Sequence, residues 1–144
     1  MTLRVATAVL ALVVGTTATA AAQQRDLEQV VSRLATYWAR GDAAGLATLA
    51  ARSGLAIDIG GDAMGPLGPR QAAAVLRRVF DDRETVWVRP RSSKLVGDAP
   101  PRAFGEFTWT ARVRGTTIAE QMIVFVALVR EDAGWRITQI RLNP

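Results

Sequence analysis

Residues 106–128 read EFTWTARVRGTTIAEQMIVFVAL, and their pattern decides the fold. Apolar side chains recur at alternate positions on both sides of Gly115-Thr116: Phe107, Trp109 and Val113 before it, Met122, Val124, Val126 and Leu128 after it. A period of two marks a strand with one buried face, and a two-residue turn led by glycine joins two such strands as a hairpin.

Outward from this hairpin, the chain from residue 84 onward reads as four strands, 84–95, 102–114, 117–130 and 135–142, linked by turn residues at 97–101, 115–116 and 132–134. If the turns set the register, Val88 lies opposite Trp109 and Val86 opposite Ala111, while Arg91 meets Glu106 and Arg89 meets Thr108. One face is then apolar, carrying Trp135 and Ile137 as well. Three polar residues, Glu120, Gln139 and Arg141, fall on that face by the same count. Polar groups under a covering layer need partners or water, so they mark either a solvated pocket or the rim of the sheet. The other face carries Trp87, Arg89, Arg91, Glu106, Thr108, Thr110 and Gln121 at one end, and Ile123, Phe125, Ala127 and Val129 at the other. An exposed apolar patch of that kind is an association surface, so a homodimer through the outer face of the sheet is expected.

Upstream the period changes to that of a helix. Leu27, Val30, Val31, Leu34, Tyr37 and Trp38 form one face of a helix over 26–40, stopped by Gly41. Asp42 caps a short helix over 43–51, and Pro69 opens a third running to Phe80. Between them, Leu55, Ile57 and Ile59 alternate as a short strand, with 63–67 pairing back after Gly60-Gly61. The fold class is α+β, in the order ααββαββββ.

The N-terminus has the layout of a secretory signal: Arg4, an uncharged apolar run from Val5 to Val14, then small residues ending Ala20-Ala21-Ala22. About ten apolar residues are too few to span a bilayer. The expected division is a signal peptide at 1–22, cleaved near Ala22, and one domain at 23–144, exported to the periplasm or the medium. The chain has no Cys to carry a lipid or form a disulfide. With no His either, thiol nucleophiles, imidazole bases and His or Cys metal sites are excluded. No cofactor and no metal are expected. The net charge of +5 comes from a chain whose basic residues are almost all arginine. Nucleic acid is not an expected partner without a reading motif, whereas weak binding to anionic surfaces through Arg77, Arg78 and Arg83 is a lesser expectation.

Three stretches carry a resemblance: Tyr37-Trp38-Ala39-Arg40-Gly41-Asp42 with Leu46 and Leu49, Gly68-Pro69-Arg70-Gln71-Ala72 running to Val79-Phe80, and Gly134-Trp135-Arg136-Ile137. In this order and spacing the chain resembles the nuclear-transport-factor-2-like, or SnoaL-like, superfamily over residues 26–142. The resemblance implies a cystatin-like cone, with three helices packed on the concave face of a strongly curved, mostly antiparallel sheet. It implies no single activity, because this fold hosts isomerases, cyclases and proteins without chemistry. Two readings follow. The first is a non-catalytic exported domain that binds a small apolar ligand or assembles, with Tyr37, Trp38, Trp109, Met122, Glu120, Gln139 and Arg141 lining the cone. The second is an isomerase or cyclase in which a buried carboxylate, Glu120 or Asp58, serves as the base.

Overall fold

A computed structural model describes residues 14–144, with side chains from residue 19 onward. Helix α1 spans Val14–Ala39, and α2 spans Ala43–Thr48. Strands β1 (Leu55–Ile59) and β2 (Asp62–Leu67) precede helix α3 (Pro69–Asp82). The long strands β3 (Arg83–Asp98), β4 (Pro101–Val113), β5 (Ala119–Glu131) and β6 (Gly134–Asn143) complete the chain. The element order is that expected from the sequence.

Helix α1 begins earlier than the apolar pattern indicated. Alanine and glutamine are good helix formers, so the run Ala20–Gln24 continues the helix without any buried stripe. Thr19 to Gln23 are all exposed, and the first core residue among those described is Leu27. The expected leader at 1–22 lies mostly outside the described residues. No described helix is long and apolar enough to cross a membrane. At its other end α1 closes on Gly41, whose φ is +63°. The Gly41 N–H donates to the Trp38 carbonyl (3.0 Å) and the Asp42 N–H to the Tyr37 carbonyl (2.9 Å), the paired bonds of a glycine-terminated helix. Asp42 then caps α2, its carboxylate accepting from the Gly45 N–H at 2.8 Å.

The six strands form one sheet in the order β2-β1-β6-β5-β4-β3. All neighbours are antiparallel except β1 and β6. Strand β1 is therefore an inner strand, held on both sides. The central hairpin keeps the expected register, with Trp109 opposite Met122 and Phe107 opposite Val124.

Two departures come from β-bulges. In β3 the pairing with β4 shifts between Thr85 and Trp87, Pro90 and Ser92, and Leu95 and Gly97, leaving Val86, Arg91 and Val96 unpaired. Val88 faces Trp109 and Arg89 faces Thr108 as expected, but Thr85 replaces Val86 opposite Ala111, and Ser92 replaces Arg91 opposite Glu106. Each bulge adds a residue to one strand only and bends it, which lets β3 curl around α1. The second departure is in β6, where Ala127 faces Gln139 but Leu128 faces Ile137, so Thr138 is extra. Its hydroxyl donates to the Ala127 carbonyl at 3.2 Å. Ile137 and Ile140, three apart in sequence, thereby both point into the core at 0% and 1% exposure. Gln139 and Arg141, expected inside, are turned to the outer face.

The core lies between the helices and the concave face, where Leu27, Val31, Leu34, Trp38, Leu46, Leu76 and Phe80 meet Leu55, Ile57, Phe107, Trp109, Val124, Val126 and Ile137.

Candidate functional site

The interior of the cone is closed by aromatic rings. Trp38 from α1 packs edge-on against Phe80 of α3 (5.0 Å between centroids), Trp109 of β4 (5.3 Å) and Phe107 of β4 (5.6 Å). Phe80 also meets Trp109 at 6.3 Å. Edge-to-face contacts set the positive rim of one ring against the negative face of the next, and each adds to the burial energy of the pair. The Trp109 indole N–H donates to Thr85 Oγ1 at 2.9 Å, whereas the buried Trp38 indole N–H has no hydrogen-bond acceptor among the described residues. Trp38, Trp109 and Met122, expected to line a cavity, are thus the filling of the cone. Tyr37 sits beside them, half-buried against the core.

The polar residues expected in the cavity are elsewhere. Glu120 stands at the rim, its side chain 60% exposed, paired with Arg83 at 3.3 Å. Gln139 and Arg141 lie on the outer face because of the bulge at Thr138. There the Arg141 guanidinium reaches Asp58 (3.6 Å) and stands over the Phe125 ring (5.8 Å). Asp58 shares that outer face and also accepts from the Gly61 N–H at 2.9 Å, which closes the β1–β2 turn. No carboxylate residue among the described residues is fully buried; Asp58 and Glu120, the two carboxylates expected as a base, are ion-paired with Arg141 and Arg83. No described cluster of acidic residues could hold a metal ion.

Two hollows bear on function. One, of about 260 Å³, opens at the mouth of the cone between α3 and the ends of β1, β2 and β6. Ile59, Met64, Val75, Val79 and Leu142 make its apolar wall, and Arg78, Asp82 and Arg83 its charged rim. The other, of about 540 Å³, is a shallow depression on the outer face bounded by Val96, Phe104, Ala127, Val129 and Thr138. Phe104 and Val96 are each 41% exposed, and Phe104 packs on Phe125 with 5.0 Å between ring centroids. Neither hollow was legible as a site in the sequence. The mouth draws residues from five separate elements, and Val96 turns outward only because of a bulge. The broken alternation at Ile137-Thr138-Gln139-Ile140 was the one available signal of such shifts.

No protein-family model matches the chain, and no curated protein does. Solved structures do. A protein of unknown function from Mycobacterium tuberculosis superposes with a TM-score of 0.68 at 14% identity, covering 91% of this chain and 76% of the other. A nuclear-transport-factor-2-like protein with a cystatin-like fold from Novosphingobium aromaticivorans gives 0.63 at 17% identity, covering 92% and 88%. A protein with a ketosteroid isomerase-like fold from Catenulispora acidiphila, solved in complex with trimethylamine, gives 0.63 at 20% identity, covering 80% and 84%. These likenesses agree with the α+β order of three helices and a six-stranded, mostly antiparallel sheet. In fold, the chain is similar to these nuclear-transport-factor-2-like and cystatin-like proteins.

Proposed function

We propose that this is an exported, non-catalytic assembly domain that pairs with a second copy through the outer face of its sheet. The observation that carries the reading is the Phe104–Phe125 pair beside exposed Val96, at a shallow hollow on the outer face. A partly exposed aromatic pair on the outside of a sheet is unfavourable in water and well suited to a self-complementary contact. Charges of both signs surround it, with Arg89, Lys94, Arg102 and Arg141 against Glu106 and Asp58, so a twofold arrangement can set unlike charges together. The aromatic filling of the cone supports the non-catalytic half of the reading, since it leaves an enclosed substrate no room.

The expected outcome is that light scattering of residues 23–144 gives twice the protomer mass. Phe104→Glu should raise the dimer dissociation constant at least about thirtyfold, the effect of losing a central aromatic contact of about 2 kcal/mol. A wild-type chain that stays at the mass of one protomer at high concentration would refute the assembly role.

The mouth hollow favours a second, lesser role, holding a small apolar molecule with an anionic end toward Arg78. An anionic naphthalene dye should bind there, and Arg78→Glu should weaken binding by up to about fivefold, as for an exposed ion pair. Binding unaffected by Arg78→Glu would place the dye elsewhere.

A further inference from the structure

We infer that Gln23 becomes the first residue of the exported protein and closes on itself to form an N-terminal pyroglutamate. The inference rests on the export reading above and goes beyond it to a modification of one named residue. Cleavage after Ala22 leaves Gln23 with a free α-amine. Joining that amine to the carboxamide carbon of the same side chain makes a five-membered ring. The nitrogen attacks Cδ, an N–Cδ amide bond forms, the Cδ–Nε2 bond breaks, and Nε2 leaves as ammonia with the proton given up by the amine. No oxidant, reductant or co-reactant is needed.

The structure separates Gln23 from its neighbour in the way this reaction requires. Gln24 anchors this end of the described helix: its carboxamide donates to the Ser93 carbonyl (3.2 Å) and to Ser93 Oγ (3.3 Å) on β3, and to Glu28 (3.2 Å). Two residues on, Asp26 is paired with Arg130 at 2.7 Å. Gln23 lies one residue outside this anchor, exposed, with no hydrogen bond on its carboxamide among the described residues. Its side chain is thus free to turn back on the amine while the helix behind it stays docked. Residues 19–22 are exposed, and the core among the described residues starts at Leu27.

The ring also suits the helix it would begin. The N-terminus of a helix carries a partial positive charge, so an ammonium placed there is disfavoured, and a neutral lactam relieves that repulsion. The lactam further leaves no primary amine for an aminopeptidase acting in the compartment outside the cytoplasm.

The full-length chain is expressed in an exporting bacterial host, and the intact mass of the secreted protein is measured alongside Gln23→Ala. The expected result is a wild-type mass of residues 23–144 less one ammonia, blocked to stepwise N-terminal degradation and unblocked by a pyroglutamyl aminopeptidase. The Gln23→Ala protein should begin at the substituted position with a free amine and degrade normally. A wild-type mass equal to residues 23–144, with an open amine, would overturn the inference and leave export intact. A mass that begins at Ala21 or Met1 would overturn it by removing the cleavage on which it rests.

Discussion

Replacing Trp38 by alanine is expected to cost about 3–5 kcal/mol, the range for removing a buried large aromatic side chain. That is a large share of the roughly 5–15 kcal/mol that holds a domain of this size together. Trp38 is 1% exposed and is the hub of the aromatic cluster, touching Phe80, Phe107 and Trp109 from one side of the cone to the other. Its loss would take one edge-to-face partner from each of three rings and leave a cavity that helices on one side and a sheet on the other cannot readily collapse into. Trp38→Phe should cost under about 2 kcal/mol, because it keeps a ring in place and deletes an indole N–H that has no acceptor among the described residues. Urea denaturation of both variants checks the pair. Similar losses for alanine and phenylalanine would show that the ring at this position does not hold the cluster together.

Gly105→Ala should destabilise by about 1–3 kcal/mol through overpacking. Gly105 is buried in the middle of β4, and a Cβ there would stand 2.6 Å from Val31 Cγ2 of α1 and 3.1 Å from Val126 Cγ2 of β5. Both neighbours are β-branched and buried, with little freedom to turn away. The absent side chain is what lets α1 sit directly on the sheet. The double variant Val31→Ala, Gly105→Ala should be more stable than the sum of the two single losses predicts, since the alanine at 31 removes the clashing methyl. Strict additivity in denaturant midpoints would refute this contact.

The fold was legible because its signals are local and repeated. Alternation in 106–128, the glycine stop at Gly41, the Asp42 cap and the Pro69 start each declare an element without reference to any other. Face assignments held wherever the turns controlled the register, as at Trp109 and Met122. They failed past the bulges, because a single extra residue reverses every side chain beyond it. Gln139 and Arg141 were displaced from the inner face by Thr138 alone, and Arg91 lost its place opposite Glu106 in the same way. The candidate site was less legible for a different reason. Whether Trp38 lines a cavity or fills it depends on rings contributed by α3 and β4, a three-body packing result that no spacing rule encodes. Glu120 shows the same limit at the rim. Its position by alternation is inward, yet it stands at the open end of the sheet with Arg83 beside it.

The parallel seam between β1 and β6 also dictates an order of events. Strands β1 and β2 join the rest of the sheet through the last strand: Ile137 exchanges bonds with Leu49 and Ala51 at 2.7 and 2.8 Å, and Ile57 and Ile59 lie beside Ile140 and Leu142. Until residues 134–143 arrive, β1 and β2 form a two-stranded ribbon with an unpaired edge, too small to be stable alone. Such closure between distant parts of a chain is slow and comes late in folding. Because β6 follows every other strand of the sheet in the chain, the sheet stays open at this seam until that strand has been made.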